Sequence, residues 1–277
     1  MSTTKVALVT GASSGIGADA ALRLKAAGYV VYGAARRVER MSALKDAGVH
    51  VLSLDVTSED SIRTALTSII EESGRIDVLV NNAGYGSYGS IEDVPMDEAR
   101  AQIEVNVFGL ARLTQLVLPY MRAQRSGTVI NISSMGGKMV TPLGGWYHAS
   151  KYAVEALSDA LRIETKQFGI NVVVVEPGSI RTEWGAIAAR TLRETSSKGA
   201  YSAMADSVAK TLAASSEPNA RMTSAPSVIS KNIVKIANAR RPRTRYRIGF
   251  GSAPTLFLRW LLPDRAFDFV IRRAFGI

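Results

Sequence analysis

The sequence predicts an α/β fold in which a parallel sheet is doubly wound, with helices on both of its faces. Strand-like apolar runs alternate with helix-like runs, which is typical of a parallel sheet. The strand-like runs begin near residues 5, 29, 49, 76, 127 and 170. The 277 residues contain no internal repeat, low-complexity segment or linker, so one large domain spanning residues 1–277 is expected.

A glycine-rich turn joins the first strand to the first helix. Residues 5–10 form an apolar run, and Gly11-Ala12-Ser13-Ser14-Gly15-Ile16-Gly17 leads from it into an alanine-rich helical pattern. Strand, glycine turn and helix are the context of a dinucleotide-binding fingerprint, in which the helix N-terminus faces the pyrophosphate. Gly11 would permit the tight turn, Gly15 a close backbone approach to the phosphates, and Gly17 close helix–strand packing. The spacing differs from the commoner Gly-x-Gly-x-x-Gly, and an ordinary glycine turn is the alternative.

The end of the second strand indicates which dinucleotide would bind. Residues 29–34 are followed by Ala35, Arg36 and Arg37. A carboxylate at this strand end would accept hydrogen bonds from a free ribose 2′-hydroxyl, whereas a guanidinium matches a phosphate. The sequence therefore favours NADP(H) over NAD(H), with Arg36 as the leading 2′-phosphate contact and Ser13 and Arg37 as helpers. Arg37 is equally consistent with a solvated charge at the start of a helix.

Tyr147 and Lys151 lie four residues apart in a helix-like run, so their side chains stack on one helix face. An ammonium beside a phenol favours the phenolate and lowers the tyrosine pKa. Such a tyrosine can act as a general acid or base on an alcohol or a carbonyl. Because this pair alone is also common on helix surfaces, its meaning depends on the motifs that accompany it.

Further motifs follow the strands in the middle of the chain. They are Asn81-Asn82-Ala83-Gly84 after residues 76–80, Asn106 in a helical stretch, Asn131-Ile132-Ser133-Ser134 at the end of 127–132, and Pro177-Gly178 after 171–176. Together with the glycine turn and the Tyr/Lys pair, they resemble the short-chain dehydrogenase/reductases over roughly residues 4–190. The resemblance implies a single-domain Rossmann fold and an oxidoreductase that interconverts a ketone and a secondary alcohol with a nicotinamide cofactor.

The resemblance also implies four catalytic residues. Tyr147 would exchange a proton with the substrate oxygen, and Lys151 would lower the pKa of Tyr147 and hydrogen-bond the nicotinamide ribose. Ser134 lies 13 positions before Tyr147, the family spacing for the serine that orients the substrate oxygen, and is preferred to Ser133. Asn106 would hold a water beside the lysine. The alternatives are a strand-end hydroxyl for Ser134 and a helix-capping or core amide for Asn106.

The cofactor-binding residues implied by the resemblance come from most of the motifs. Asp55-Val56 resembles the adenine-binding pair, Asn82-Ala83-Gly84 would line the ribose, and Ile180 and Thr182 would meet the nicotinamide carboxamide. Asn82 is equally consistent with a side chain that ties adjacent strands together. The full predicted set is Gly11, Ser13, Ser14, Gly15, Ile16, Gly17, Arg36, Arg37, Asp55, Val56, Asn82, Ala83, Gly84, Tyr147, Lys151, Pro177, Gly178, Ile180 and Thr182.

The substrate lid is expected at residues 184–225, which follow the last cofactor motif. Residues 184–189 are apolar, and residues 203–214 fit an amphipathic helix. Further wall residues would be Tyr85, Met135, Met139, Val140, Leu143 and Trp146. This lining favours a hydrophobic ketone or alcohol as substrate, although core packing accounts for some of these side chains.

The net charge of +10 lies entirely in the last fifth of the chain. Residues 1–220 carry 22 basic and 22 acidic side chains, whereas residues 221–277 carry 12 and 2. The pattern of residues 240–277 resembles the tails of family members close to the 17β-hydroxysteroid dehydrogenases. One interpretation of this basic amphipathic extension is peripheral membrane contact; the other is a packed extension with solvated arginines. Nothing else in the chain supports nucleic-acid binding, which we do not expect.

The amino-acid composition limits which covalent links, metal sites and cellular locations we expect. The absence of cysteine excludes disulfides and thiolate metal sites, and two histidines make a histidine-based metal site implausible. Without a signal pattern or an apolar run of spanning length, a cytoplasmic location is expected. By resemblance alone, the helices holding Asn106 and Tyr147 would pair in a homodimer or homotetramer. The alternative to an enzyme is an NADP(H)-binding sensor or interaction protein on the same scaffold, which has no need of all four catalytic residues.

Overall fold

The computed structural model describes residues 4–277 and has seven strands and eleven α-helices among them. The strands are β1 (Val6–Thr10), β2 (Val30–Ala35), β3 (His50–Ser53), β4 (Val78–Asn81), β5 (Gly127–Ile132), β6 (Ile170–Pro177) and β7 (Arg245–Ile248). The helices are α1 (Gly15–Ala26), α2 (Ser42–Asp46), α3 (Glu59–Ser73), α4 (Met96–Ile103), α5 (Leu110–Ala123), α6 (Gly145–Thr165), α7 (Trp184–Ser196), α8 (Ser202–Ala214), α9 (Pro226–Asn238), α10 (Ser252–Leu261) and α11 (Asp264–Ala274). A π-helical turn, Glu104–Gly109, joins α4 to α5, and 3₁₀ turns lie at Val38–Met41, Met135–Gly137 and Lys166–Phe168.

The strands form one parallel sheet in the order β3-β2-β1-β4-β5-β6-β7. Successive residues of β1 serve opposite faces, as the period of two in a strand requires. Ala7 and Val9 belong to a buried cluster with α1 and α9, and Val6 and Leu8 to a cluster with α3 and α5. Burial on both faces accounts for the continuous apolar runs of the strands. The predicted doubly wound α/β fold is therefore confirmed.

The topology places the site at the carboxyl ends of β1 and β4. The strand order reverses at β1, which pairs with β2 on one side and β4 on the other. In open α/β sheets the crevice at this switch point is the usual ligand site. The glycine turn that begins at Gly11 leaves β1 here, and Asn82-Ala83-Gly84 leaves β4 beside it.

The sequence predicts six strands and a C-terminal extension over residues 240–277. That prediction is wrong for β7, which pairs with β6 as the seventh strand of the sheet. Arg245 contacts the carboxylates of Glu155 at 3.0 Å, Asp159 at 2.6 Å and Glu176 at 3.3 Å. Arg247 contacts Glu176 at 3.2 Å. Glu155 and Glu176 are buried, so two arginines that suggest a solvated run in the sequence instead compensate carboxylates inside the fold.

The chain then returns to the site edge of the sheet and ends in a helical hairpin, formed by α10 and α11. Leu256 and Phe267 of the hairpin pack on Met139, which is buried there and does not line a substrate wall. At the end of α11, Phe275 packs against helices α7 and α8, which lie within the predicted lid. Among residues 4–277, no helix combines the length and apolarity needed to cross a bilayer.

Candidate active site

Tyr147 lies in the first turn of α6 under an aromatic cover. Its side chain is 8 % exposed, and the rings of Trp184 and Tyr88 lie 5.0 and 5.9 Å from its own, centroid to centroid. Burial raises the pKa of Tyr147 to about 12, and the hydroxyl of Ser134 offsets only part of the rise. The predicted lowering of this pKa by Lys151 is therefore wrong for the structure, because loss of solvent around the phenol dominates.

Lys151 occupies the same buried region one helical turn later. Its Nζ donates to the carbonyl of Ile132 at 2.9 Å and lies 6.0 Å from the centroid of the Tyr147 ring. Burial lowers the pKa of Lys151 to about 8, while the charge of Glu155 opposes the change. The lysine thus meets the face of the tyrosine ring, and both groups are shifted toward their neutral forms.

Two neighbouring serines after β5 have different surroundings. Ser134 directly precedes the 3₁₀ turn. Its hydroxyl accepts a hydrogen bond from the amide of Gly136 at 3.0 Å and lies near the phenol of Tyr147. The hydroxyl of Ser133 is buried without a hydrogen-bond partner among residues 4–277, on the side of Gly137. Of the two, Ser134 is therefore the serine that the structure brings to Tyr147.

Asn106 lies in the π-helical turn and is buried. Its Oδ1 accepts from the amide of Tyr85 at 3.0 Å, while its Nδ2 donates to the Tyr85 carbonyl at 2.9 Å and to Ser150 at 3.0 Å. The amide therefore anchors the loop after β4 to α6, across Gly84 from the Lys151 ammonium. A π-helical turn inside a helix often marks a functional position, and this one was not evident in the helical pattern.

His148, for which the sequence predicts no role, holds the loop that carries Ser134. Its Nδ1 bonds the carbonyl of Gly136 at 3.0 Å, and its Nε2 accepts from the amide of Thr141 at 2.9 Å. Since a carbonyl only accepts and an amide only donates, the ring is neutral with its proton on Nδ1. Burial lowers the pKa of His148 to about 4. The hydroxyl of Thr141 also lies 2.9 Å from Nε2, so His148 joins two segments of this loop through both backbone and side-chain atoms.

We expect acid to destabilise the protein through His148. Its pKa is about 4 when folded against an ordinary value of 6.5, so below pH 6.5 the unfolded chain takes up a proton that the folded chain resists. The associated stability is complete above pH 6.5 and is lost as the pH falls toward 4, with a maximum loss of about 3 kcal/mol. Denaturant unfolding of the wild type and His148→Gln across this range checks it. Parallel curves would contradict the assignment.

The glycine turn has the conformation that a pyrophosphate cradle requires. Gly11 and Gly15 have φ angles of +66° and +56°, and a Cβ on Gly17 would lie 2.3 Å from the carbonyl oxygen of Gly11. The first turn of α1 carries no acidic residue, and the hydroxyl of Ser14 makes no capping bond. A helix N-terminus of this kind suits an anion, so these residues fit the phosphates of a dinucleotide. Ser13 belongs to the same turn, and Ile16 lies in the first turn of α1.

Asn82 ties the strands together at this edge. Its Nδ2 donates to the carbonyls of Thr10 at 3.0 Å and Gly11 at 3.3 Å. The hydroxyl of Thr10 in turn accepts from the amides of Asn82 and Ala83, both at 3.0 Å. The sequence is compatible with two roles for Asn82. In the structure, its side chain links the end of β4 to the end of β1.

Arg36 borders the crevice just after the end of β2. This side chain is exposed, makes no ion pair or side-chain hydrogen bond within residues 4–277, and lines a cavity with Thr57 and Tyr85. Burial raises the pKa of Asp55, but hydrogen bonds from Thr57 and the charge of Arg36 outweigh it and hold that pKa below its usual range. Arg36 is therefore available to an added anion. The neighbouring Arg37 is also exposed, and Val56 is buried.

The segment after β6 closes over the glycine turn. The amide of Gly178, which follows Pro177, donates to the carbonyl of Ile248 at 2.8 Å, and Ile180 bridges to Ser224. The methyl of Thr182 approaches Gly15 so closely that a Cβ there would lie 3.1 Å from it. Arg40 and Glu183 then form a two-point ion pair at 2.5 and 3.2 Å. This pair joins the start of the predicted lid to the segment after β2.

Comparisons with known proteins agree with this geometry. The family described as short chain dehydrogenase matches residues 5–192. A 3-ketodihydrosphingosine reductase of Bacteroides thetaiotaomicron is 38% identical over 276 residues, which cover 99% of this chain and 98% of the relative. An NADPH-dependent 3-dehydrocapnine reductase of Ornithobacterium rhinotracheale is 42% identical over 191 residues, covering 65% and 68% of the two chains.

Among solved structures, a short-chain dehydrogenase from Streptomyces avermitilis superposes with a TM-score of 0.81 at 33% identity, covering 99% of this chain and 98% of that one. The Bacteroides relative and this structure extend over residues 184–225 and the C-terminal hairpin, and neither singles out the 17β-hydroxysteroid dehydrogenase subgroup. The family match over most of the chain and the full-length likeness lead to one conclusion: the protein is a member of the short-chain dehydrogenase family, with the oxidoreductase scaffold of that family.

Proposed function

We propose that the protein is an NADP(H)-dependent reductase of a hydrophobic ketone, with oxidation of the secondary alcohol as the reverse reaction. The observation that supports this most directly is the enclosure of Tyr147 by Tyr88, Trp184 and the apolar side chains of α7 and α8. A proton donor in such surroundings suits a carbonyl on an apolar skeleton. Lys151 and Ser134 beside it supply the remaining polar groups of the site.

In the reduction, Tyr147 would donate its phenolic proton to the substrate oxygen. A pKa raised to about 12 keeps the phenol protonated at neutral pH, which is the state a proton donor needs. Ser134 would hydrogen-bond the same oxygen and fix its position before the transfer. Lys151, with a pKa of about 8, would stabilise the charge left on the phenolate, and Asn106 would hold the loop beside it.

A bound nicotinamide would supply the hydride. The glycine turn and the N-terminus of α1 would hold its pyrophosphate, and Gly84, Ile180 and Thr182 would border its ribose and carboxamide. Asp55 and Val56 would contact the adenine. Arg36 would pair with a 2′-phosphate, with Ser13 and Arg37 as helpers.

We expect Arg36→Ala to weaken NADPH binding by about tenfold to a hundredfold, the effect of a lost charge-assisted hydrogen bond, while NADH binding changes little. Titration of both cofactors by fluorescence measures the difference. Arg122→Ala is the matched control, because Arg122 is exposed and lies in the last turn of α5, at the opposite edge of the sheet. Equal losses of NADPH and NADH would remove Arg36 from the 2′-phosphate.

The substrate class can be tested with a panel of ketones and both cofactors. Two relatives are named as reductases of 3-ketodihydrosphingosine and of 3-dehydrocapnine, which favours a keto group on a long alkyl chain. The panel would contain a long-chain keto-lipid, a steroid, an aryl ketone and a short polar ketone. NADPH-dependent turnover of an apolar member supports the proposal. Turnover of the short polar ketone alone would overturn the proposed substrate class.

We also propose a homodimer or homotetramer. Phe108 of the π-helical turn, Tyr120 of α5 and Tyr152 of α6 are exposed aromatic side chains, and burial against a second copy would remove them from water. The sensor alternative is not favoured, because Asn106, Ser134, Tyr147 and Lys151 all meet around one buried site.

A further inference from the structure

The outer surface of the C-terminal hairpin carries large apolar side chains that nothing in the described chain covers. On α10 these are Phe257, Trp260 and Leu261, with Trp260 79 % exposed. On α11, Phe269 is 70 % exposed. Phe257, Trp260 and Leu261 recur at helical spacing on one side of α10, next to Leu256, which is buried. We name these four side chains the apolar hairpin face.

Arginines surround this face on α11. Arg265, Arg272 and Arg273 are exposed and share a helix side with Phe269, from which they lie three or four residues away. None of the three forms an ion pair within residues 4–277. By contrast, Arg259 of α10 pairs with Asp264 at 2.7 Å and stacks over the Phe267 ring, so its charge is already engaged. The exposed surface is thus both aromatic and positively charged.

We propose that the apolar hairpin face binds the surface of an anionic lipid bilayer. Aromatic and leucine side chains on an amphipathic helix enter the interface between headgroups and acyl chains, while flanking arginines contact anionic headgroups. A second copy of this chain fits the face less well. A two-fold interface places the same patch on both partners, and it would therefore bring the unpaired arginines of α11 close to their own copies.

The hairpin is also joined to the candidate active site. Leu256 and Phe267 pack on Met139, and Met135, which directly follows Ser134, packs against the same cluster. At the other end, the carbonyl of Phe275 accepts a hydrogen bond from Ser207 of the lid helix α8 at 2.5 Å. A bilayer bound here would lie beside the two segments that border the substrate. Delivery of an amphiphilic ketone from the bilayer rests on the proposed function, whereas the binding itself does not.

Co-sedimentation with vesicles tests the proposal on the full-length protein. Wild-type protein is expected to bind vesicles of equal parts phosphatidylcholine and phosphatidylglycerol, to bind phosphatidylcholine vesicles less, and to lose binding as salt rises. Trp260→Ser should lower the partition coefficient about tenfold, and Phe269→Ser should lower it similarly. Ile163→Ser is the matched control, because Ile163 is 73 % exposed and lies near the end of α6, at the opposite edge of the sheet.

The charge contribution has its own matched pair. Arg272→Gln with Arg273→Gln removes two charges from the hairpin, and Arg240→Gln with Arg241→Gln removes two exposed charges that precede β7 at the far edge of the sheet. The first double variant should lose most of its preference for anionic vesicles, and the second should retain it.

Three results would overturn the proposal. If the wild-type protein does not bind anionic vesicles, the apolar hairpin face is not a bilayer-binding surface. If the two double arginine variants lose the same amount of binding, the overall charge of the protein, and not the hairpin, governs binding. Dissociation of an oligomer by Trp260→Ser, seen by sedimentation velocity without vesicles, would assign the face to a second copy. Because vesicle binding is measured without turnover, its failure is distinguishable from failure of the proposed ketone reduction.

Discussion

Replacing Tyr147 with phenylalanine is expected to reduce turnover about a thousandfold or more while leaving NADPH binding intact. The change removes only a hydroxyl from a ring that Tyr88 and Trp184 already enclose, so the packing survives. What is lost is the proton donor to the substrate oxygen, and general acid catalysis contributes about a hundredfold to ten-thousandfold. Consumption of NADPH measures turnover, and quenching of its fluorescence measures binding.

Tyr152→Phe is the matched control for that experiment. Tyr152 lies five residues later on α6 and is 41 % exposed, so this variant loses a phenolic hydroxyl outside the site. Tyr152→Phe should keep nearly full activity. If Tyr147→Phe keeps most of its activity as well, the proton comes from elsewhere and the proposed mechanism is incorrect. If neither variant nor the wild type turns over any ketone despite tight NADPH binding, the sensor alternative gains support.

The second large effect is expected on stability, from Arg245→Met. The arginine is the shared partner of Glu155, Asp159 and Glu176, and the methionine would leave two buried carboxylates without it. Removing one partner of a buried ion pair typically costs several kcal/mol, and we expect a loss of about 3 kcal/mol in the free energy of unfolding at neutral pH. Denaturant titration measures it.

Arg247→Met is the control, because Arg247 is half-exposed and Glu176 would keep Arg245. Arg247→Met should lower the free energy of unfolding by about 1 kcal/mol or less. The pKa of Glu176 is already raised by burial and by Glu155, so the folded Arg245→Met protein takes up a proton more readily than the unfolded chain. Its deficit should therefore shrink as the pH falls. A deficit that is equal in both variants, or constant with pH, would contradict the network.

The parallel sheet and the position of the crevice were predictable because both depend on local signals. Apolar runs at regular intervals define the strands up to β6, and the glycine turn marks the carboxyl end of β1. The four predicted catalytic residues converge because Ser134 leaves β5, Tyr147 and Lys151 lie on α6, and Asn106 meets Ser150 of the same helix. Their spacing in the sequence reflects that arrangement.

What escaped prediction depends on contacts between distant residues. β7 resembles a solvated basic run until Glu155 and Glu176 are placed beside it, more than 60 positions earlier in the chain. The pKa of Tyr147 depends on burial under Trp184, which comes from α7. His148 binds the backbone of Gly136 and Thr141 and the hydroxyl of Thr141, contacts that only the folded loop brings together. In each case the local residues are compatible with several outcomes and the fold selects one.

β7 also determines how this end of the sheet resists aggregation. An edge strand presents unpaired backbone groups that can recruit a strand from another molecule. β7 is only four residues long, so it offers few unpaired backbone groups to a strand from a second copy. Without β7, the exposed edge would be β6, which is eight residues long and contains four consecutive valines. The basic strand therefore protects the most aggregation-prone segment of the sheet.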